Sequence, residues 1–280
     1  MTILITGGTG KTGAPLAQKI HDAGHSVLVA SRSGSAPEHL KGVKFDWNDP
    51  STFENPFNAD PNIDKIYLIC PPVSDRLTPM KPFIDLAVAK SVKRFVLLSA
   101  TVTPPGGGFT GEVHDYLAGL EGVEYGVLRP SWFSENFKSL WLRGILNDNE
   151  IVTATQDGKL PFVAVADIVD AAFNLLTTPE IENPDLLVIG PDLLSYDQAA
   201  EILSAALGRK ISHRKVTVAE ATEIRKGYGL PAEIAGFLGH LDDTVAQGNE
   251  EKVVEENNKY VGKVRLADWV EENKAAWQKV

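Results

Sequence analysis

The feature that most constrains this chain is a glycine-rich turn at residues 6–13, which reads TGGTGKTG. It follows a short apolar run and precedes a helical pattern, as expected of a strand-to-helix turn. Glycine permits so tight a turn, and the helix N-terminus offers N–H groups and a positive dipole end to a pyrophosphate. The motif therefore predicts a dinucleotide-binding turn. The residues predicted to contact the cofactor here are Gly7, Thr9, Gly10, Lys11, Thr12 and Gly13.

The sequence Gly10-Lys11-Thr12 also resembles the end of a nucleoside-triphosphate-binding loop. That loop needs a glycine five residues before Gly10, where this chain has Ile5. Because Ile5 lies inside the predicted first strand, the motif excludes a nucleoside triphosphatase.

Short apolar runs alternate with amphipathic helical patterns through the first two-thirds of the chain. The runs are rich in Val, Ile and Leu, which indicates strands buried on both faces. We therefore predict the α/β class: a Rossmann-type, doubly wound parallel sheet with a smaller, mostly helical C-terminal substrate lobe. The predicted strands are Ile3–Thr6, Ser26–Ala30, Val43–Phe45, Ile66–Cys70, Phe95–Ser99 and Tyr125–Leu128. The predicted helices between them are Gly13–Ala23, Pro79–Lys90 and Glu112–Leu120.

The end of the second predicted strand indicates which cofactor binds. Sites that prefer NAD usually place Asp or Glu there to bind the ribose 2′-hydroxyl, whereas this chain has Ser31, Arg32 and Ser33. A guanidinium suits a 2′-phosphate, and the two serines can donate hydroxyl groups. The pattern predicts NADP, with Asp46 at the end of the third strand as an adenine contact.

Two further strands end at the same edge of the sheet, where ligands bind in open α/β folds. Cys70 and Pro71 follow the fourth strand, and we expect backbone contact with the cofactor there. A reactive thiol is less expected, since lone cysteines are usually buried. Ser99 ends the fifth strand and is a candidate for hydrogen bonding to cofactor or substrate, with a strand-capping serine as an equal alternative.

After Gly190 the pattern becomes mostly helical. We predict that residues 1–190 form the NADP-binding core, with a helix over 133–146 and the segment 150–165 on the substrate side. Residues 191–280 are predicted to form a lobe that covers the substrate and is not an independent domain. The elements predicted in this lobe are helices at Tyr196–Leu207, Val218–Lys226, Ala232–Ala246 and from Ala267 to the end, and a strand at Ile211–Lys215.

The composition narrows the class of partner. The chain has 27 Lys and Arg against 37 Asp and Glu, a formal charge of −10, which argues against general nucleic-acid binding. The single cysteine excludes an intramolecular disulfide and a cysteine-based zinc site, and the histidines lack metal-ligand spacing, so no metal is expected. No signal sequence or membrane-spanning stretch is evident. We expect a cytoplasmic protein with a small-molecule substrate, and the sequence does not indicate its oligomeric state.

Three segments resemble the NmrA-like atypical short-chain dehydrogenases/reductases and occur in that family's order. They are the turn at 6–13, the segment LRPSWFSENF at 128–137 and the segment VAVADI at 163–168. The rest of the chain, including GPDLLSY at 190–196, resembles the fungal festuclavine and agroclavine dehydrogenases of ergot-alkaloid synthesis. The resemblance implies NADP binding. It also implies either a reductase, of quinones, phenylpropanoids or iminium alkaloid intermediates, or a redox-sensing regulator that has lost the chemistry.

The sequence lacks the usual proton donor of short-chain dehydrogenases, a Tyr-x-x-x-Lys dyad whose tyrosine protonates the carbonyl oxygen. None of the six tyrosines has a lysine four residues later, and the chain reads EVHDYL at 112–117, where NmrA-like reductases often carry a lysine. Ketone reduction creates an alkoxide that needs a proton, whereas iminium reduction creates a neutral amine that does not. A carboxylate such as Glu112 or Asp115 could stabilise the cation, although acidic residues are also favoured at helix starts.

These observations predict an NADPH-dependent reductase that transfers hydride to an iminium or similar C=N of an indole-alkaloid-type intermediate. Two alternatives remain: non-redox chemistry on an iminium, such as ring closure or cycloaddition, and a non-catalytic redox-sensing regulator. The candidate catalytic residues are Ser99, Asp115 and Tyr116. Trp132, Phe133 and Phe137 are the candidate substrate contacts, because their rings suit an aromatic ligand, unless they belong to the core.

Overall fold

The computed structural model describes residues 1–278 of the chain. Most of its strands are four to seven residues long, and the three shortest have two or three. The strands are β1 (Thr2–Ile5), β2 (Ser26–Ser31), β3 (Lys41–Lys44), β4 (Ile63–Leu68), β5 (Arg94–Leu98), β6 (Glu124–Pro130), β7 (Glu150–Thr153), β8 (Lys159–Leu160), β9 (Asp185–Ile189), β10 (Leu194–Ser195), β11 (Ser212–Lys215) and β12 (Lys259–Val261).

The helices follow local sequence signals at several of their ends. Ser195 begins α6 with a capping box, accepting from the Gln198 N–H while the Gln198 side chain accepts from the Ser195 N–H. The same helix ends at Gly208, whose φ of +63° is in the left-handed region that favours glycine. The α-helices are α1 (Gly13–Asp22), α2 (Asn55–Ala59), α3 (Leu77–Ala89), α4 (Thr110–Ala118), α5 (Val165–Thr177), α6 (Tyr196–Leu207), α7 (Val218–Gly227), α8 (Ala232–Ala246), α9 (Asn249–Val253) and α10 (Leu266–Asn273).

The central sheet has eight strands in the order β12-β9-β6-β5-β4-β1-β2-β3. The pairs from β3 through β2, β1, β4 and β5 to β6 are all parallel. The chain runs outward from β1 to β3 and then returns to β4 on the other side of β1, so the topological switch point lies between β1 and β4. This arrangement confirms the predicted α/β class and its doubly wound parallel sheet.

Burial on both faces explains why the strands read as continuous apolar runs. Leu4 of β1 lies opposite Leu28 of β2 and Ile66 of β4 in the parallel register. All three side chains are at most 1 % exposed and belong to the same apolar core. On one face they pack with Phe83 of α3 and Phe95 of β5. The six predicted strands are found within three residues of their predicted ends.

Five strands were not predicted from the sequence, namely β7, β8, β9, β10 and β12. β9 adds to the central sheet beyond β6, and β7 forms a separate two-stranded parallel sheet with β11. Both runs are short, and β7 pairs with residues about sixty positions later in the chain, at the register Ile151 to His213. The hydrogen-bond partners that define such a strand lie outside any local window of sequence.

The chain divides into two compact units, residues 1–130 with 168–187 and residues 131–167 with 188–278 of the described chain.

The helix predicted over 133–146 is wrong, since the structure has a 3₁₀ turn at Ser134–Lys138 and a π-helical turn at Gly144–Asp148. The carbonyl of Phe137 accepts from the indole N–H of Trp277 at 3.1 Å. The Trp141 N–H bonds to the carbonyl of Asn136, one residue further back than α-helical pairing requires, so the helical register slips there.

The second unit has its own apolar core, which includes Trp132, Phe137 and Trp269. Two of the helices predicted for the C-terminal lobe, α6 and α8, match their predicted limits, and α7 ends one residue later. The helix predicted from Ala267 to the end begins at Leu266 and passes into a 3₁₀ turn at Lys274–Trp277. The last two residues of that prediction lie outside the described part of the chain.

Candidate cofactor-binding site

The glycine turn connects β1 to α1, and two of its glycines are too closely packed to carry a side chain. A Cβ on Gly13 would lie 2.5 Å from the carbonyl oxygen of Gly7, and one on Gly8 would lie 2.5 Å from Cγ1 of Val29. Gly7 has a φ of +58°, which favours glycine. Residues 9–11 at the tip are exposed. A closed turn with an exposed tip lets a pyrophosphate approach the backbone, so these residues fit the dinucleotide that the motif predicts.

Side-chain hydrogen bonds hold the two strands at the switch point together. The Thr6 hydroxyl donates to the carbonyl of Tyr67 at 3.0 Å and accepts from the Ile69 N–H at 2.8 Å. The hydroxyl of Tyr67 lies 3.5 Å from that of Thr12, the residue before α1. Burial raises the pKa of Tyr67, so its hydroxyl stays protonated. These hydrogen bonds within the chain thus hold the backbone at the base of the glycine turn in place.

The loop after β2 is held by its serines and presents Arg32 to solvent. The Ser31 hydroxyl donates to the carbonyl of Ser35 at 2.6 Å, and the hydroxyls of Ser33 and Ser35 lie 2.5 Å apart. Arg32 is exposed and, within residues 1–278, has no hydrogen-bond or ion-pair partner. The guanidinium is therefore available to an anion at the end of β2. The predicted role of Ser31 and Ser33 as phosphate donors stays a prediction, since both hydroxyls already take part in bonds within the loop.

Asp46 follows β3 and is half-buried. One of its carboxylate oxygens accepts from the Asn48 N–H at 2.9 Å. The next residue, Trp47, donates from its indole N–H to the carbonyl of Ile69 at 3.0 Å. This bond ties the end of β3 to the segment after β4, where Cys70 follows. The adenine contact predicted for Asp46 remains a prediction.

Cys70 lies just beyond β4 and is half-buried, and Pro71 beside it is buried. Burial around the thiol raises the pKa of Cys70 to about 12. The thiol is thus fully protonated at neutral pH, which argues against a nucleophilic role because the thiolate is the reactive form. The predicted backbone contact of Cys70 and Pro71 with the cofactor is compatible with this burial and stays a prediction.

We expect the Cys70 thiol of the folded protein to resist thiol reagents. At pH 8 the native thiolate fraction is far smaller than that of an unfolded cysteine with a pKa of about 8.5. The higher nucleophilicity of a basic thiolate offsets only part of this difference, leaving the native reaction at least about 50-fold slower. Since Cys70 is the single cysteine, the rate with a disulfide reagent in buffer and in urea reports on it alone. Equal rates would contradict the buried thiol.

Ser99 follows β5 and belongs to a closed triangle of hydroxyl groups. Its Oγ lies 2.7 Å from Oγ1 of both Thr103 and Thr110, and those two atoms lie 2.9 Å apart. Thr103 also donates to the carbonyl of Ala100 at 3.0 Å. Thr103 and Thr110 are buried, whereas Ser99 is half-buried. Ser99 is therefore the member of the triangle that remains partly accessible at this edge of the sheet, and its role towards cofactor or substrate remains a prediction.

The hydroxyl of Tyr116 on α4 forms hydrogen bonds with two side chains of α3. It donates to the carboxylate of Asp85 and accepts from Nζ of Lys81 at 3.1 Å. Burial and the Asp85 carboxylate raise the pKa of Tyr116. A lysine and a tyrosine from different helices thus lie within hydrogen-bond distance of each other, but the tyrosine hydroxyl donates its own hydrogen bond to a carboxylate. Asp115 is exposed, and its Oδ2 lies 2.8 Å from where a Cβ on Gly106 would stand. Catalytic roles for Asp115 and Tyr116 stay predictions.

The three aromatic residues predicted to contact substrate lie in the second unit and differ in burial. Phe137 is 0 % exposed and Trp132 is 8 % exposed, and both pack in the core of that unit, whereas Phe133 is half-buried. The ring centroids of Trp132 and Phe137 lie 5.8 and 5.4 Å from that of Trp141. The structure therefore gives Trp132 and Phe137 a packing role. Their contact with a substrate remains a prediction, for which Phe133 has the most accessible ring.

Several polar groups of the first unit were not found from the sequence. Thr103 and Thr110 complete the hydroxyl triangle, and Lys81 and Asp85 hold Tyr116. His114, also on α4, is 3 % exposed, and its Nδ1 has no hydrogen-bond partner within residues 1–278. The pairing of Lys81 with Asp85 at i,i+4 is a local signal of a helix surface, but no sequence spacing connects that pair to Tyr116.

Residues 1–278 contain neither a metal-binding cluster nor a membrane-spanning helix. No group of three or more His, Cys, Asp or Glu side chains there is placed to hold a metal ion. In the same part of the chain, every helix is too short or too polar to cross a bilayer.

Comparison with known proteins supplies the family. Residues 3–106 match the NAD dependent epimerase/dehydratase family. Agroclavine dehydrogenase of Claviceps fusiformis is 40% identical over 99% of this chain and 99% of its own. Festuclavine synthase II of Penicillium roqueforti is 43% identical over 90% of both chains. Among solved structures, an NADPH-dependent quinone oxidoreductase of Escherichia coli has a TM-score of 0.76 at 20% identity, covering 97% of this chain and 99% of that one, and this likeness shows the fold alone.

The fold and the glycine turn at its switch point define a dinucleotide-binding protein of the Rossmann class, built to hold a nicotinamide cofactor. The full-length similarity then identifies the group within that class. This chain belongs to the NmrA-like short-chain dehydrogenase/reductase family, with the agroclavine dehydrogenases and festuclavine synthases, and it is an oxidoreductase. The resemblance predicted from the three sequence segments is thereby confirmed.

Proposed function

We propose that this enzyme uses NADPH to reduce the C=N⁺ bond of an iminium intermediate in indole-alkaloid metabolism. The observation that carries the proposal is the full-length similarity to an agroclavine dehydrogenase and a festuclavine synthase, at 40% and 43% identity. The regulatory alternative is less well supported because both relatives bear the names of enzymes, and the non-redox alternative is less well supported because one of them is named a dehydrogenase.

The choice of NADPH over NADH rests on Arg32. Its exposed side chain, without a partner among residues 1–278, follows β2 at the edge where the glycine turn also lies. A planar guanidinium is suited to a phosphate because it can donate two parallel hydrogen bonds. The residues that would hold the cofactor are those of the turn at 6–13, Arg32 and the backbone at Cys70 and Pro71.

The choice of an iminium as the substrate rests on the hydrogen bonds that the hydroxyl groups of Tyr116 and Ser99 already make within the protein. When bound, NADPH supplies a hydride, whose electron pair forms the new C–H bond while the π pair of C=N⁺ moves onto nitrogen. The product nitrogen is then neutral, so no residue has to donate a proton. This suits a chain in which Tyr116 donates to Asp85 and Ser99 shares its hydrogen bonds with Thr103 and Thr110. The residues would contribute binding, orientation and exclusion of water.

We expect the replacement Arg32→Ala to weaken NADPH binding by about 10- to 100-fold and to leave NADH binding nearly unchanged. A hydrogen bond to a charged group contributes roughly 1.5–3 kcal/mol, and only NADPH carries the 2′-phosphate that the guanidinium would contact. Titration of both cofactors against both proteins by calorimetry measures the preference. The matched control is Arg265→Ala, which removes another exposed arginine, one that is paired with Asp192 in the second unit. An unchanged preference in the Arg32 variant would remove this residue from the proposal.

The reaction itself is tested by single turnover with NADPH that carries deuterium at the transferred position. We expect one deuterium on the carbon of the former C=N bond of a cyclic iminium ion, and one NADP⁺ for each amine formed. Quinones and enones serve as comparison substrates in the same assay. Product formation without oxidation of NADPH would instead support the non-redox alternative, and inertness towards all of these substrates would count against the proposed chemistry.

A further inference from the structure

The loop after β4 carries an arginine whose Nη groups make no hydrogen bond among residues 1–278. Arg76 is half-buried, and its Nε donates to the carbonyl of Val73 at 3.2 Å within the same loop. Both of its Nη groups remain accessible to solvent. The carboxylate of the neighbouring Asp75 accepts from the Thr78 N–H at 3.0 Å, in the first turn of α3, rather than from Arg76. Within the described residues, the guanidinium therefore has no counter-ion.

The ring of Phe109, in the loop after β5, holds the Arg76 side chain. Cζ of Arg76 lies 5.3 Å from the centre of this ring, within the range of a cation–π contact. Because β4 and β5 are neighbouring parallel strands, the two loops leave the same edge of the sheet. Thr110, the residue after Phe109, bonds to Ser99 in the hydroxyl triangle and fixes the backbone there. The contact thus joins the loop after β4 to a firmly held segment after β5.

The backbone of Phe109 adopts a conformation that disfavours any side chain. Its φ of +63° and ψ of −117° are those of the first central residue of a type II′ turn, where glycine is usual. Such conformations persist where surrounding contacts require them, and they cluster at ligand-binding sites. The chain has glycine at each of the three preceding positions, 106–108, yet it places an aromatic ring at this one. The contacts of the ring must therefore offset the strain.

The Arg76 loop lies beside the glycine turn. A Cβ on Gly7 would stand 3.1 Å from Cβ of Ile69, so the turn packs directly against the residue that precedes Cys70. The guanidinium of Arg76 is close enough to Cys70 to lower the pKa of its thiol, against the larger effect of burial. The turn and the Arg76 loop therefore flank the same switch point between β1 and β4.

A stacked guanidinium at this position suits the pyrophosphate of a dinucleotide. The backbone N–H groups and the dipole of α1 supply only partial positive charge, whereas a pyrophosphate carries a full negative charge on each phosphate. A guanidinium can donate two parallel hydrogen bonds to phosphate oxygens. Stacking on an aromatic ring restricts the side chain before the ligand arrives, which reduces the entropy lost on binding.

We propose that Arg76 is a cofactor-binding residue that contacts the pyrophosphate of the nicotinamide dinucleotide, and that Phe109 is the positioning residue that orients it. This inference rests on the proposed use of a nicotinamide cofactor and adds a second cation to its site. The two cations differ in what they recognise. Arg32 would contact the 2′-phosphate that only NADPH carries, whereas Arg76 would contact a group common to NADPH and NADH.

Two fragments of the cofactor separate these roles when each is titrated by calorimetry into the full chain. ADP-ribose contains the pyrophosphate without a 2′-phosphate, and 2′-AMP contains the 2′-phosphate without a pyrophosphate. We expect Arg76→Ala to weaken ADP-ribose binding about tenfold or more and to leave 2′-AMP binding within about twofold. Arg32→Ala should have the reverse effect. The control Arg265→Ala, in the second unit, should leave both affinities unchanged.

The possible results separate this inference from the proposed function. If the parent protein binds ADP-ribose and Arg76→Ala binds it equally well, the assignment of Arg76 is wrong while the cofactor site stands. If the parent protein binds neither fragment nor NADPH, the proposed cofactor and this inference both fail. Equal weakening of the two fragments by Arg76→Ala would point to a general disturbance of the site and would also overturn the pyrophosphate contact.

Variants that keep or remove the ring test the positioning role of Phe109. Phe109→Tyr keeps the aromatic face and should bind ADP-ribose within about twofold of the parent protein. Phe109→Leu keeps apolar bulk without that face and should weaken binding about threefold or more. The same Leu substitution in the Arg76→Ala background should have no further effect, since no guanidinium is left to orient. Melting curves establish that each variant is folded, and equal losses in both backgrounds would overturn the positioning role.

Discussion

A cyclic iminium ion is expected to be reduced about 10²–10⁴ times faster than the ketone with the same ring skeleton, after the ratio of their rates is corrected for the difference in intrinsic reactivity. This range is the typical contribution of general acid catalysis, which the ketone requires and the iminium does not. The Tyr116 hydroxyl donates to Asp85, and none of the six tyrosines has the lysine of a Tyr-x-x-x-Lys dyad. Single-turnover rates at saturating NADPH give the enzymatic ratio.

The control for this comparison is the rate of each substrate with a hydride donor in the absence of protein. Iminium ions are intrinsically better electrophiles, so only the excess over the uncatalysed ratio reports on the missing acid. A solvent deuterium isotope effect near unity on the iminium reaction would agree with a step that moves no proton. If the ketone is reduced as fast as the iminium after this correction, another residue supplies the proton and the mechanism is wrong.

Removal of the Asp242 carboxylate is expected to be among the most destabilising single changes in the second unit. Asp242→Ala leaves the buried guanidinium of Arg225 without its counter-ion and the Ala154 N–H without its acceptor. Breaking a buried ion pair from one side typically costs about 3–5 kcal/mol. Urea denaturation of the variant and the parent protein measures this loss of unfolding free energy.

The reference for that measurement is an exposed ion pair of the same unit. Arg265, whose side chain is 64% exposed, bonds to Asp192 at 2.8 Å, and Asp192→Ala should cost less than about 1 kcal/mol. The double variant Arg225→Met with Asp242→Asn should recover most of the stability, because no uncompensated charge is left buried. A loss for Asp242→Ala no larger than that for Asp192→Ala would mean that the buried pair contributes little to the fold.

The sheet and the cofactor turn could be predicted because their signals are local. Gly7, Gly8 and Gly13 stand where a Cβ would be strained or would meet atoms within 3.3 Å, so the spacing in the sequence records a steric requirement of the turn itself. Arg32 could be found in the same way, since its position just after β2 follows from the strand pattern. The ends of the strands shift by up to three residues because hydrogen bonding to neighbouring strands, rather than side-chain periodicity, sets where pairing stops.

The break in the segment 133–146 could not be predicted, because it depends on a residue far along the chain. The pattern of Phe137, Trp141 and Ile145, all at most 6 % exposed, is the spacing of one helix face. The indole N–H of Trp277 nevertheless donates a hydrogen bond to the Phe137 carbonyl, and the helical hydrogen-bonding register changes there. A local pattern contains no information on which distant donor will reach a given carbonyl.

By itself, the sequence determined the α/β class, the parallel core strands, the glycine turn and the cation after β2, since backbone sterics and hydrophobic periodicity act over a few residues. Only the tertiary structure decided where the polar hydroxyls and charges find partners. It joined Tyr116 to Lys81 and Asp85, and it buried Arg225 against Asp242. These pairings join residues 17 to 35 positions apart through packing of separate elements. Hydrogen bonds between side chains depend on distances of about 3 Å, which are set only when those elements have packed together.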